Sequence, residues 1–352
     1  MKRREYQSVT HKSSKKSLIL KISLMLVASM LISLTAYGIY LHKKAETAAN
    51  NAFEAVADRD KSNYRDEAVE PLEDNVSILF VGIDDSELRG QGDSNSRSDA
   101  LMLATLNNKS KTVKLVSIPR DSLVYIPEVG YEDKITHAHS YGGTRAAIET
   151  VEELFEIPVD YYVKMNFDAF IDVVDALGGI EAEVPYALKE KDQFDQNTVN
   201  LQPGIQQLDG REALALARTR KQDNDLERGK RQQMILKSIM KEAASASSFT
   251  KYGDVIDAVG DNMKTDMTFD EMKSFFEYIK DGSPRVDTLQ LAGYDDMSTG
   301  VYYWSLDQES LDEMRDILKT HLGISGQSPN LTDGSSDSKT TEFAKEDDDH
   351  TH

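Results

Sequence analysis

Residues 22–41, ISLMLVASMLISLTAYGIYL, are twenty uncharged and mostly apolar residues in a row, the length a helix needs to cross a hydrocarbon core of roughly 30 Å. A run of this kind is satisfied in lipid or deep inside a large core, and its flanks decide for lipid. Lys2, Arg3, Arg4, Lys12, Lys15, Lys16 and Lys21 precede it against a single acid, Glu5, whereas only Lys43 and Lys44 follow directly. Positive charge stays on the cytoplasmic side of a membrane span, so the asymmetry predicts a cytoplasmic basic tail (1–21), a transmembrane helix (22–41) and an extracytoplasmic remainder. The length of the run and the lack of a small-residue cleavage pattern favour a retained signal anchor over a cleaved signal peptide.

The charge balance narrows the function classes. The 352 residues carry a formal net charge of −20 although the first 21 are strongly basic. Most of the surface beyond the anchor therefore repels nucleic acid and anionic lipid headgroups, so nucleic acid is not an expected partner. There is no cysteine, which excludes disulfides, thiolate metal sites and a cysteine nucleophile.

Beyond the anchor, residues 42–75 are polar, alanine-rich and acidic, and read as a partly helical stalk. Buried-strand patterns stand at 76–83 (VSILFVGI), 101–106 and 113–118, the last two forming a hairpin across NNKSKT. Helices are expected at about 144–155 and 167–177, the second stopping at Gly178–Gly179, with strands at 159–165 and 180–184. Further helices are expected near 209–217, 225–244, 269–280 and 306–322, with a strand at 285–291. Strands alternating with helices of this length predict an α/β domain over 76–324, layered α-β-α around a mixed sheet. The Ser/Thr/Asp-rich residues 325–352 read as a disordered acidic tail.

Against this acidic background, ALARTRKQDNDLERGKRQQ crowds Arg218, Arg220, Lys221, Arg228, Lys230 and Arg231 together. Helical spacing places Arg228, Gln232, Leu236 and Met240 in one row, beside Arg231, Ile235 and Ile239. The apolar halves of these rows must face the core, so the arginines at their upper ends point toward the inner edge of the fold. An inward arginine needs an anion, either a partner carboxylate or a ligand phosphate, and the pattern alone allows both. Two other segments favour a ligand. SIPRDS ends a strand with Arg120 and Asp121, at the sheet edge where α/β proteins commonly bind ligands. Asp84 and Asp99 stand at the end of one strand and the start of another, with Arg97 close by, and two carboxylates beside a phosphate suit Mg²⁺. His137 and His139 in THAHS read as hydrogen-bonded or solvated residues rather than a metal pair.

The segments LFVGIDDS, RSDALMLATLN, KTVKLVSIPRDSLVYIP, KITHAHSYGG, VDALGGIEAEV, LQPGIQQLDGREALALARTR and DNDLERGKRQQ occur in an order that resembles the LytR–CpsA–Psr family, in its teichoic acid transferase branch. The resemblance covers about 76–241; residues 245–322 follow it loosely. It implies the family fold and a bacterial, Gram-positive cell-membrane protein of single-pass type II topology with an extracellular catalytic domain. It implies a phosphotransferase that moves an anionic glycopolymer such as wall teichoic acid from a polyprenyl diphosphate carrier onto peptidoglycan. By motif, Asp84 and Asp99 would hold Mg²⁺, while Arg97, Arg120, Lys134, Arg218, Arg220, Arg228 and Gln232 would bind the diphosphate. Asp99, Arg120, Asp121 and Arg220 would carry the catalysis, with Asp99 or Asp121 as base for the incoming hydroxyl. The apolar lipid chain would lie between sheet and helices, with 167–177 in its wall. One departure stands out: many members carry an arginine after the D-S of the first motif, and this chain has Glu87, with Arg89 nearby. A lipid-diphosphate hydrolase, or a non-catalytic binding protein for the lipid-linked polymer, would use the same residues. A transcription regulator, the reading the LytR label suggests, is opposed by the anchor, the acidic domain and the lack of a helix-turn-helix pattern.

Overall fold

The computed structural model describes residues 15–83, 97–192, 198–219, 225–245, 252–280 and 284–324. Its first element, helix α1 (Lys15–Ala52), is 38 residues long, and its apolar stretch is long enough to cross a membrane. The apolar side chains of that stretch lie open, with Leu20 and Met25 each about 70% exposed, as expected of a surface whose solvent is lipid. The helix does not stop where the apolar run stops. The alanine-rich sequence AETAANNA continues it, and alanine is the strongest helix former.

The central sheet grows from strand β1 (Val76–Ile83), which pairs antiparallel with β2 (Ser98–Asn107), itself antiparallel to β3 (Thr112–Ile118). The short hairpins β4 (Leu123–Ile126) with β5 (Tyr131–Lys134) follow, then helix α2 (Ile135–Phe155) and strand β6 (Tyr161–Met165), which joins β1 in parallel. Helix α3 (Phe167–Ala176) leads to the pairs β7 (Ile180–Val184) with β10 (Gly204–Leu208) and β8 (Leu188–Lys191) with β9 (Thr198–Leu201). Helices α4 (Gly210–Arg218), α5 (Asp225–Ala243) and α6 (Tyr252–Asn262) come next. Strand β11 (Met263–Thr265), helix α7 (Phe269–Lys280), strands β12 (Arg285–Gln290), β13 (Gly293–Asp296) and β14 (Tyr303–Leu306) and helix α8 (Gln308–Leu322) complete the fold. The six-stranded sheet runs β11-β6-β1-β2-β3-β12 and mixes parallel and antiparallel pairs, a layered α/β architecture with a mixed centre.

Period-two patterning sorts the sheet's two faces. Leu79, Val81, Ile83, Leu101, Leu103, Val116 and Ile118 point to one side, against Ile148, Val151 and Phe155 of α2 and Leu311, Met314 and Leu318 of α8. On the other side, Leu236 of α5 packs against Leu115, Val113 and Ala104. A smaller core links α3, α4, α5, β7, β10 and the β8–β9 pair through Val174, Leu216, Ile235, Ile180, Leu208, Leu188 and Leu201.

Three expectations change. Residues 53–75 are built into the domain: Val56 joins the main core, Arg59 pairs with Glu152 at 2.9 Å and Arg65 with Asp160 at 2.7 Å. The helix expected from 144 begins at Ile135, because THAHSY is helical and only Gly142 and Gly143 break the geometry inside α2. Gly143, at φ +64°, sits where glycine is favoured. Finally, α6 and several short strands carry no local pattern strong enough to announce them. The basic residues 1–14 and the acidic tail 325–352 lie outside the described residues.

Candidate active site

Between the sheet and helices α3, α4 and α5 lies a cavity of about 480 Å³. Its floor comes from facing positions of β1 and β2: Phe80 pairs with Met102 and Gly82 with Ala100. Its walls are Phe167, Phe170 and Val173 of α3, Leu214 and Ala217 of α4, and Ile235, Leu236 and Ile239 of α5. The polar lining consists of Arg97, Asp99, Arg120, Asn166, Arg218, Arg228 and Gln232. The arginines come from the ends of β3, α4 and α5 and from the residue before β2, so charge gathers where these elements terminate. The cavity is thus amphipathic, with an anion-binding group beside a greasy chamber.

Each charged wall residue has a traceable position. Arg120 Nη1 reaches Asp99 Oδ1 at 2.5 Å, closing the edge of the sheet. Arg228, in the first turn of α5, donates to the Asp99 backbone carbonyl at 2.5 Å and lies 3.4 Å from Asp225. It can do so because α5 lies against β3 at Gly229, where a Cβ would meet Ser117 Oγ at 2.6 Å. Arg218 ends α4 and stacks on the Phe167 ring, Cζ to centroid 4.5 Å, spanning the polar and apolar parts of the cavity. Gln232 follows Arg228 one turn later on the same face. Arg231 behaves differently: it is buried and donates to the backbone carbonyls of Leu216 and Thr219, satisfying the open end of α4. Arg231 thus takes neither of the anions the sequence offered and serves the fold through backbone carbonyls, whereas Arg218 and Arg228 of the same stretch line the cavity.

Asp121 and Lys134 lie beside this group without lining the cavity. Lys134 Nζ binds Asp121 Oδ1 at 2.9 Å, and Asp121 Oδ2 stands 3.9 Å from Arg120 Nε. Asp121 is buried, so it orients its two cationic neighbours. Beyond Lys134 stands Asp133. Burial alone would raise its pKa, but hydrogen bonds from Tyr141, His137 and the Lys134 N–H outweigh burial and hold the carboxyl below its ordinary value. His137 is thus a hydrogen-bonded residue, 2.7 Å from Asp133, and His139 is buried in α2.

Asp84 and Arg220 lie outside the described residues, as do Glu87 and Arg89. Ile83, the residue before Asp84, pairs with Ser98, the residue before Asp99. Among the described residues no group of three or more His, Asp or Glu side chains gathers around a common point. A single wall carboxylate, Asp99, next to arginines that would hold phosphate oxygens is a donor set that fits Mg²⁺, which takes one or two carboxylates and completes its shell with phosphate and water. The sequence pattern missed Phe80 and Met102, although the alternation of VSILFVGI already puts residues 78, 80 and 82 on one face.

The LytR_cpsA_psr family profile matches residues 39–320, which include every element from the end of α1 through most of α8. The chain belongs to the LytR_cpsA_psr family. It is similar to the polyisoprenyl-teichoic acid–peptidoglycan teichoic acid transferase TagT of Bacillus subtilis strain 168, 40% identical over 306 residues that span 86% of this chain and 94% of that one. Among solved structures it resembles TagT bound to LIIa-WTA, with 39% identity, TM-score 0.65, and 77% of this chain matched to 100% of that one. It also resembles TagT with bound octaprenyl pyrophosphate lipid, with 36% identity, TM-score 0.61 and the same coverage. Residues 245–322, which follow the sequence resemblance loosely, lie within the family match as far as residue 320.

Proposed function

We propose that this protein is a membrane-anchored phosphotransferase that takes an anionic glycopolymer from a polyprenyl diphosphate carrier and joins it to a peptidoglycan hydroxyl outside the cell. The observation that carries the reading is the two-natured cavity: an arginine group at the sheet edge opens onto a chamber walled by Phe167, Phe170, Ile235 and Ile239. A diphosphate joined to a long hydrocarbon has that same division. The names of the related transferases and the ligands in the related structures point the same way. The charge asymmetry around α1 supports an outward-facing domain.

In this reading, Arg97, Arg120, Arg218 and Arg228 grip diphosphate oxygens, where the planar guanidinium offers paired donors. Arg220 would join them. Asp84 and Asp99 would hold Mg²⁺. When bound, the ion neutralises diphosphate charge. Phosphoryl transfer asks a protein mainly for positioning and charge stabilisation, and these arginines stand where charge develops as the lipid phosphate leaves. Asp121 keeps Arg120 and Lys134 aligned from behind. The apolar walls hold the prenyl chain and keep water from the phosphate edge.

The test is incubation of the full chain with lipid-linked polymer, peptidoglycan oligomers and Mg²⁺, with products identified by mass spectrometry. Polymer joined to muropeptide through a phosphodiester is the expected product. Polymer released onto water alone would make the protein a hydrolase, and no release would leave it a binding protein. Asp99→Ala should abolish Mg²⁺-dependent transfer while the chain stays folded; transfer at the wild-type rate under limiting Mg²⁺ would remove Asp99 from the site.

A further inference from the structure

We infer that the tyrosine-rich surface beside Lys134, built by the β4–β5 hairpin, the first turns of α2 and strand β14, is the docking site for the acceptor glycan. The inference rests on the transfer reading above. The donor fills the cavity, so a sugar hydroxyl must approach from the phosphate end. From that end a line of contacts leads outward: Arg120 to Asp121, Asp121 to Lys134, and Lys134 Nζ to the rings of Tyr302 and Tyr303, 5.7 and 5.6 Å from their centroids.

The surface at the end of this line has the makeup of a sugar platform. Tyr131 and Tyr141 are 50% and 39% exposed, large rings left open. Their centroids are 6.3 Å apart, and His137 lies 6.1 Å from Tyr141. The rings are also held in place. Tyr141 donates its hydroxyl to Asp133 at 2.7 Å, and Tyr303 reaches the other oxygen of the same carboxylate at 3.5 Å. Tyr302 donates to Asp295 at 2.8 Å. Flat apolar faces suit the C–H faces of pyranose rings, while tyrosine hydroxyls and carboxylates pair with sugar hydroxyls. Fixing such rings in advance lowers the entropic cost of binding.

Charge sorts the two substrates. Glu132, Asp133, Asp295 and Asp296 border the tyrosines, so this surface repels the anionic polymer and accepts neutral sugar rings. The arginine-lined cavity does the reverse. Donor and acceptor are thereby directed to adjoining places of opposite character, meeting at Arg120.

The experiment uses the full chain in detergent, with Tyr131→Ala/Tyr141→Ala and Tyr131→Phe/Tyr141→Phe. Transfer is followed against peptidoglycan oligomer concentration at saturating lipid-linked polymer. Binding of peptide-free glycan strands is measured by co-sedimentation, and binding of a polyprenyl diphosphate by its upward shift of Tm. The alanine pair should raise the acceptor KM about tenfold, keep kcat, weaken co-sedimentation and leave the lipid-induced Tm shift unchanged. The phenylalanine pair, which keeps the rings, should retain most acceptor affinity. Should the alanine pair unfold, Tyr131→Ala alone is used, since that ring stands outside the Asp133 contacts. An acceptor KM and co-sedimentation equal to wild type in a folded variant would overturn the inference, as would equal losses of donor and acceptor binding. If wild type binds glycan strands through these tyrosines but forms no phosphodiester, the transfer reading fails and the docking surface stands.

Discussion

Arg218 and Arg231 are thirteen positions apart in one basic stretch, yet their surroundings assign them different work. Arg231 is buried and gives its donors to the last carbonyls of α4. Truncating it leaves those carbonyls without a partner, and an unsatisfied buried group costs about 1–3 kcal/mol. Arg231→Ala should therefore lower Tm clearly and reduce transfer only as far as folded protein is lost. Arg218 is half-buried at the cavity wall, its guanidinium stacked on the Phe167 ring. Arg218→Ala should leave Tm nearly unchanged and cut transfer roughly 10- to 100-fold, the worth of one charged hydrogen bond. Thermal unfolding and turnover of the two variants, compared side by side, check this; the reverse order would exchange their roles. Helical spacing put Arg228 and Gln232 on the correct face, but spacing reports a face and never a partner. It therefore could not show that Arg231 turns to α4, or that Arg228 is itself tied to Asp225 and the Asp99 carbonyl. Arg228→Ala is accordingly expected to cost both stability and activity.

At the scale of elements, α8 and the β11–α7 corner are held by two groups with opposed responses to pH. His321 of α8 is buried between Thr105 and Thr112, each 2.8 Å from a ring nitrogen, and burial lowers its pKa to about 4. Asp266 follows β11, accepts from the Tyr162 N–H, and is raised by burial to about 6. As pH falls from about 6.5 to 4, an unfolded chain protonates its histidine before the native one does, so His321 loses stabilising effect over that window. Asp266 acts the other way, because the native carboxyl takes its proton first, between pH 6 and the ordinary value near 4. His321→Asn should be less stable than wild type at pH 7, and the gap should narrow at pH 4.5 by an amount on the order of 1–3 kcal/mol. Denaturant unfolding at both pH values measures it, and a constant gap would show that His321 does not titrate in this way. Most strands and long helices were legible as elements because burial imposes a period of 2.0 or 3.6 on their residues. The links between elements were not: Thr105 and Thr112 read as ordinary strand residues, and nothing local to them marks a histidine more than two hundred positions away.

At the scale of the whole molecule, a chain of packed helices links α1 to the wall of the cavity. Helix α1 is about 57 Å long at ~1.5 Å per residue, nearly twice what a bilayer core requires, so with residues 22–41 in a bilayer its C-terminal turns would stand clear of the lipid. Those turns dock on α6: Ala48 and Ala49 are buried, Lys44 pairs with Asp257 at 2.7 Å, and a Cβ on Gly260 would come within 2.7 Å of the Ala48 Cβ. Helix α6 packs in turn on α3, whose Phe167, Phe170 and Val173 wall the cavity. Hydropathy marked the end of the apolar run at residue 41 but could not show that the helix continues rigidly into the domain, since that depends on alanines meeting a glycine far along the chain. With α1 anchored in a bilayer, as proposed above, this packing would set how the cavity stands over the membrane. Gly260→Leu should push α1 from α6 and let the domain tilt, while the cavity itself keeps its lining. Transfer from a long-chain carrier embedded in a bilayer is then expected to fall about tenfold or more, because small misplacements of bound groups carry costs of that order. Transfer from a short-chain carrier in detergent, where no membrane sets the approach, should stay near the wild-type rate. Measuring both on one preparation separates anchor geometry from damage to the cavity: equal losses would mean that the cavity was disturbed, and equal retention that α1 serves only as a tether.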